Sequence, residues 1–158
     1  IGQYAHGNEP SHHMAYLYNY VGMPWRTQEL TRRLLDEMYA PTPEGIIGNE
    51  DCGQMSSWYV LSAMGFYPVN PALGIYVLGS PAFDRVTLRT HGGKCFTVIA
   101  ENSSEENIYI QSAELDGRPY PYSYIRHADL LRGGTLRLKM GPKPSDFGSD
   151  PQHRPIEQ

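Results

Sequence analysis

Apolar positions recur at helical spacing through the first 68 residues of the chain and at alternating spacing through most of the remainder. Met14, Leu17, Tyr18 and Val21 repeat three or four residues apart behind Pro10, which suits a first helical turn, with Asn8 or Glu9 near the cap and Gly22 as the stop. Pro24 opens a second helix. In it Leu30, Leu34 and Met38 form an apolar stripe, Arg26, Glu29, Arg32, Arg33, Asp36 and Glu37 decorate the other side, and Pro41 and Pro43 end the run. Met55, Trp58, Tyr59, Ser62, Ala63 and Phe66 predict a third helix from Cys52 to Gly65, closed by Gly65 and Pro68. Its aromatic residues lie on more than one face, so these helices alone make a poor closed bundle.

From about residue 74 the period changes. Ile75 to Leu78, Arg85 to Arg89, Cys95 to Glu101, Asn107 to Glu114 and Thr135 to Met140 are short alternating or β-branched runs, separated by turns rich in Gly, Asn and Pro. Gly92-Gly93 and Asp116-Gly117 are hairpin signals, and an antiparallel sheet is the economical reading. His127 to Leu131 adds a helical turn ahead of Gly133-Gly134. The predicted fold class is α+β, with a helical region over residues 1–70, a small antiparallel β region over 71–142, and a polar tail over 143–158 that hugs the surface or frays.

Composition narrows the function. The chain has 158 residues, 40% of them hydrophobic, enough for one substantial core or two modest layers. Net charge is −4 and the basic residues are scattered, which argues against nucleic acid as a partner. No apolar stretch approaches the roughly 20 residues that span a bilayer, so no membrane span is expected. Cys52 and Cys95 form neither a scaffold nor a Cys-x-x-Cys motif and are expected as separate thiols. The chain opens at Ile1 rather than Met and enters a helix start within ten residues, as a piece of a longer protein would.

Two polar clusters carry the chemistry: His6-Gly-Asn-Glu-Pro-Ser-His-His13 and Gly48-Asn-Glu-Asp-Cys-Gly-Gln54, each ahead of an aromatic-rich run. They read as two walls of one polar pocket. Glu9 lies three and four residues before His12 and His13, so at helical spacing it shares a side with either. One account has Glu9 capping the helix, His12 partly exposed and His13 satisfied locally; the other gives them a site role. Adjacent histidines differ from the His-Glu-x-x-His of zinc hydrolases, whereas Asn8, Glu9, Asn49 and Asp51 offer oxygen donors suited to calcium. Asn49, Glu50 and Asp51 likewise either cap the third helix or place Asp51 to take a proton from water.

The same runs, with Tyr18-Asn-Tyr-Val-Gly22, Pro24-Trp25, Met55-Ser-Ser-Trp-Tyr59, Ala63-Met-Gly-Phe-Tyr-Pro68 and Leu78-Gly-Ser-Pro81, closely resemble the C-terminal part of glycoside hydrolase family 92, the calcium-dependent exo-acting α-mannosidases. The resemblance covers nearly the whole chain. It implies the last helices of an (α/α)6 toroid followed by a terminal β region, with a mannose site formed between the toroid and an N-terminal β-sandwich that this chain lacks. By the motif, Asp51 is the general base of an inverting hydrolysis and Asn49 or Glu50 supports the polar wall. Glu9 and Asn8 are calcium or mannose-site residues, and His12 and Trp58 contact the sugar or orient those that do. The implied cofactor is Ca²⁺, holding the vicinal 2- and 3-hydroxyls of a terminal mannose. The implied partners are a mannose-containing glycan, α-1,2-linked by expectation and met in N-glycan degradation, and the N-terminal portion of the parent enzyme. The family's general acid lies upstream, so the isolated chain should be inactive, and the implied location is extracellular or periplasmic.

Two other readings stand beside this one. Tyr109, Tyr120, Tyr122 and Tyr124 could form the stacking surface of a non-catalytic carbohydrate-binding module. Alternatively the chain is a structural piece of a larger enzyme, with Leu30, Leu34 and Met38 exposed where neighbouring helices are absent.

Overall fold

The computed structural model describes residues 2–155. Helix α1 (Pro24–Met38) starts with proline in its first turn, where no intrahelical N–H is needed, and ends at Tyr39, whose extended backbone bridges to Ile46. Helix α2 (Gln54–Ala63) starts two residues later than the pattern predicts and stops before Gly65. Phe66 therefore leaves the helix and begins strand β1 (Phe66–Tyr67).

The first predicted helix is a pair of 3-10 segments, Glu9–Ser11 and Met14–Val21. Three residues per turn bring Ala15, Tyr16 and Asn19 inward and leave Met14, Leu17 and Val21 at 48%, 42% and 63% exposure, so the aliphatic stripe faces outward. Polar partners decide this. Tyr16 donates to the Ser62 hydroxyl at 2.7 Å, and the Asn19 amide donates to the carbonyls of Leu78 and Ser123 at 3.0 and 3.1 Å.

The α1 stripe is also placed differently from expectation. Leu34 is buried, and Leu30 and Met38 pack against a core of Ala15, Tyr16, Leu34, Leu35, Trp58, Ala63 and Val77. The inward side of the stripe is covered by the Met14–Val21 segment, α2 and strand β2 (Ile75–Leu78), while Leu30 and Met38 stay half-buried.

A three-stranded sheet joins this helical core to the β core. Its order is β1-β2-β7, antiparallel throughout, with β7 spanning Tyr124–Arg126. Val77 of β2 belongs to the helical core and its neighbour Leu78 to the β core. The second sheet holds β3 (Arg85–Arg89), β4 (Cys95–Glu101), β5 (Tyr109–Leu115), β6 (Arg118–Pro119) and β8 (Gly134–Gly141) in the order β3-β4-β8-β5-β6. It is antiparallel except for β4 and β8, which run parallel from Phe96↔Gly134 to Glu101↔Lys139. Helix α3 (His127–Arg132) lies on the connection that makes this return. Alternation buries Phe96, Val98 and Ala100 of β4 against Leu136, Leu138 and Met140 of β8 and Ile110 of β5.

Residues 143–155 hug the surface. Phe147 joins the β core, the Ser123 N–H donates to the His153 carbonyl at 2.9 Å, and Arg154 donates to the Ser149 carbonyl. Residues 156–158 of the predicted tail lie outside the described residues. Cys52 and Cys95 are separate, exposed free thiols. No helix among the described residues is long and apolar enough to cross a membrane.

Candidate functional site

The two polar clusters fold into loops that touch backbone to backbone. A Cβ on Gly7 would lie 3.0 Å from the Ile47 carbonyl oxygen, and one on Gly48 would lie 3.2 Å from the Gly7 carbonyl oxygen. Glycine at both positions permits this approach, and Gly48 also needs its positive φ of +80°.

The second loop then makes a left-handed passage. Asp51, Cys52 and Gly53 take φ values of 51°, 57° and 92° in succession. Only the last is a glycine; each non-glycine residue in this region costs on the order of 1–3 kcal/mol, though aspartate tolerates it better than most. The passage turns the chain so that α2 opens at Gln54. The Asp51 carbonyl accepts from the Gln54 N–H and the Glu50 carbonyl from the Met55 N–H, both at 3.3 Å.

Beneath the loops lies a buried polar and aromatic floor. The Tyr39 hydroxyl donates to the Met55 carbonyl at 3.1 Å, so it accepts from the His6 Nε2–H at 2.7 Å. His6 Nδ1 is then left to accept from the Tyr4 hydroxyl at 2.9 Å. Burial holds the His6 imidazole down to about 4, with the neighbouring His12 adding to the effect. Burial also raises the Tyr4 and Tyr39 hydroxyls well above the usual tyrosine range, which keeps both protonated as donors. His12 donates through Nε2 to the His6 carbonyl at 2.9 Å and meets the Gln54 amide through Nδ1 at 3.0 Å. Gln54 also reaches the Tyr67 hydroxyl. The Trp58 indole N–H donates to the His12 carbonyl at 3.0 Å, and its ring runs parallel to Tyr39 within 3°.

The predicted site residues fall into two groups. Asn8, Asn49 and Asp51 are exposed and Glu9 is half-buried, and none of their side chains makes a hydrogen bond or ion pair with a described residue. Asn8 is the cap of the first 3-10 segment without a side-chain capping bond, so the capping account of Glu9 and Asn8 does not hold. His12 and Trp58 are buried, at 2% and 0% exposure, with their polar atoms engaged by protein. Neither side chain presents a free polar atom to the surface of the described residues. Glu50 is committed as well: its carboxylate accepts from the Ser56 N–H at 3.0 Å and hydroxyl at 2.8 Å, which caps α2. Capping thus falls to Glu50 and leaves Asp51 free.

Sequence reasoning missed His6, Tyr39 and Gln54 as parts of the floor. His6 and Gln54 terminate the two motifs, and that position was the available signal. Tyr39 lies 33 residues from His6, and nothing in its local pattern marks it.

Among the described residues, no three His, Cys, Asp or Glu side chains gather to hold a metal ion. The Glu9 carboxylate and Asn8 amide are of the oxygen type that calcium takes, but they supply only part of its roughly six to eight ligands. The tyrosines of the alternative binding surface form no flat platform. Tyr120 donates to the Tyr124 carbonyl at 2.9 Å, and the Tyr120, Tyr122 and Tyr124 rings meet edge-on at 64° and 62°.

The glycosyl hydrolase family 92 catalytic domain model matches residues 1–142. An uncharacterised secreted glycosidase of Arthroderma benhamiae is 37% identical over 146 residues, covering 90% of this chain and 19% of that protein. A family 92 α-mannosidase of Bacteroides thetaiotaomicron, solved in complex with mannoimidazole, superposes with a TM-score of 0.95 at 42% identity, covering 99% of this chain and 21% of that one. A family 92 inverting mannosidase of the same organism gives 0.92 at 45% identity, covering 98% of this chain and 21% of that one. The chain spans about a fifth of the length of these relatives.

Proposed function

The chain belongs to glycosyl hydrolase family 92, and from that membership we propose that the full-length protein is an inverting, calcium-dependent, exo-acting α-mannosidase whose general base is Asp51. The observation that supports this reading is the abutment of Gly7 and Gly48, which sets side by side two loops carrying the side chains of Asn8, Glu9, Asn49 and Asp51, unpartnered among the described residues. Inversion at an anomeric carbon uses an acid on the leaving-group side and a carboxylate that activates water across the ring, roughly 6.5–9.5 Å apart. In this mechanism Asp51 accepts a proton from that water, with neither carboxylate oxygen bonded by a described residue. Asn49 beside it orients water or a sugar hydroxyl.

Glu9 and Asn8 bind the terminal mannose or contribute to a calcium site. Bound calcium would supply oxygen coordination that grips the vicinal 2- and 3-hydroxyls and favours ring distortion. The general acid comes from outside these 158 residues, so the chain alone is catalytically incomplete. The rest of the toroid and the β-sandwich complete the pocket. The exposed Met14, Leu17 and Val21, together with a hollow of about 720 Å³ lined in part by Tyr4, Tyr18, Leu30 and Leu34, suit contact with those missing helices. Division into helical, β and tail regions at residues 70 and 142 belongs to the same proposal. So do a terminal α-1,2-linked mannose as substrate and a location outside the cytoplasm, in keeping with a relative described as secreted.

The test is Asp51→Asn in the full-length protein, assayed on α-linked mannobiosides. Turnover should fall by roughly 100- to 10,000-fold while the protein remains folded. Proton NMR of the wild-type reaction should show β-mannose as the first product. Undiminished turnover would remove Asp51 as the base, and α-mannose would overturn inversion.

A further inference from the structure

His12 occupies the seam between the two polar loops. Its Nε2–H is bonded to the His6 carbonyl, the peptide that enters Gly7, and its Nδ1 to the side chain of Gln54, the first residue of α2. Its own carbonyl takes the Trp58 N–H, and its ring lies 4.9 Å from that of His6 between centroids. The residue is 2% exposed. Glu9 lies three residues from both His6 and His12, and Asp51 lies three residues before Gln54.

We infer that His12 is a positioning residue that sets Asp51 against Glu9 across the junction of the two loops. The inference rests on the catalytic reading of Asp51. The chain from Asp51 to Gly53 is left-handed, and among the described residues none holds the Asp51 side chain in place. What fixes this passage is the anchorage at its two ends. Glu50 is tied forward to Ser56, within its own helix entrance, whereas Gln54 is tied across to the other loop through His12. Of these two side chains only Gln54 reaches the other loop; the Trp58 N–H on the His12 carbonyl, the His6–Tyr39–Met55 chain and the backbone packing of Gly7 on Gly48 also cross the seam, but none of them holds a side chain of residues 50–54. A neutral imidazole suits the task because it presents a donor and an acceptor at opposite ends of one rigid ring. The chemical reason for sensitivity is geometric. A base displaced by about 1 Å from its water loses on the order of 100-fold in rate, while remote contacts that bind the sugar are unaffected.

The experiment compares His12→Leu, His12→Gln, Gln54→Leu and the His12→Leu/Gln54→Leu double variant in the full-length protein. Measured are kcat and KM on an α-mannobioside per folded molecule, together with amide exchange of residues 48–53. His12→Leu and Gln54→Leu should each lower kcat by about 10- to 100-fold with KM within about threefold. The double variant should be no more than about twofold worse than the lower single, because one link is being cut twice. His12→Gln, which keeps an amide donor and acceptor, should recover part of the loss. Should His12→Leu fail to fold, His12→Gln and Gln54→Leu decide by the same measure. A kcat per folded molecule within about twofold of wild type in the single variants, with loss confined to the folded fraction, would overturn the positioning role. If the wild type itself releases no mannose, the mannosidase reading fails separately. The link is then judged on exchange: faster exchange over residues 48–53 in His12→Leu supports it, and unchanged exchange overturns it.

Discussion

Gly7 and Gly48 face each other so closely that a methyl group on Gly48 would meet the Gly7 carbonyl oxygen at 3.2 Å. The contact brings two motifs separated by some forty residues into one surface, and a substitution can measure it. Gly48→Ala combines that tight approach with a left-handed backbone of φ +80° and should cost about 1–2 kcal/mol in urea denaturation. Gly53→Ala is the control. Its φ is +92° but nothing lies within 4 Å of its added Cβ, so it bears the conformational cost alone, about 1 kcal/mol. Equal losses at the two positions would mean that the loop contact is soft and contributes nothing.

Glu50 and Asp51 are neighbours with different work. Glu50→Ala removes two hydrogen bonds to Ser56 at the start of α2 and should destabilise the protein by about 1 kcal/mol. Asp51→Asn removes no hydrogen bond or ion pair to a described residue and keeps a side chain that tolerates a left-handed backbone. Its effect on stability should stay within about 0.5 kcal/mol. Thermal denaturation of the two variants side by side decides the assignment, and the reverse order would make Asp51 the cap.

Much of this arrangement was legible along the chain, and the exceptions share a cause. Helix α1 announces itself through Pro24 at its start and Pro41 and Pro43 beyond its end, β3 and β4 follow their apolar alternation residue for residue, and β2 is the short apolar run Ile75–Leu78. The 3-10 segment did not announce itself, because apolar residues three and four apart fit an amphipathic α-helix and the spacing of Met14, Leu17, Tyr18 and Val21 carries no sign of the tighter period. What turned Met14, Leu17 and Val21 outward was the pairing of Tyr16 with Ser62 and of Asn19 with two distant carbonyls. Strands β1, β6 and β7 are two or three residues long, too short for alternation to register. The parallel pairing of β4 with β8 is a matter of chain return, which local pattern does not carry. The motifs themselves stand out in the sequence. The burial of His12 and Trp58 within them does not, since it depends on partners, the His6 carbonyl and Gln54 among them, that only the fold supplies.

Calcium dependence follows from the proposed role of Glu9. Chelation should abolish mannose release by the full-length protein and added calcium should restore it. Glu9→Gln removes one anionic oxygen and should raise the half-saturating calcium concentration by at least about tenfold. An unchanged calcium response with a raised KM would move Glu9 from the ion to the sugar.

The His6 chain makes stability depend on pH in a defined direction. In the folded protein the imidazole is held down to about 4 by burial, with His12 nearby, against an ordinary value of 6.5. Between those two values the unfolded chain binds a proton that the folded one refuses, so stability falls as pH drops from about 6.5 toward 4 and is independent of this group above that window. The full effect is on the order of 3 kcal/mol. The structural reason is visible in the bonding: Nδ1 must remain unprotonated to accept from Tyr4, while Nε2–H serves Tyr39 and, through it, the Met55 carbonyl at the start of α2. Urea denaturation of the full-length protein at pH 7 and pH 5 should show the loss in the wild type, and His6→Asn, although less stable at pH 7, should show a shallower dependence. An equal slope in both proteins would locate the acid sensitivity elsewhere, and a chemical-shift titration placing His6 near 6.5 would show that its ring reaches water.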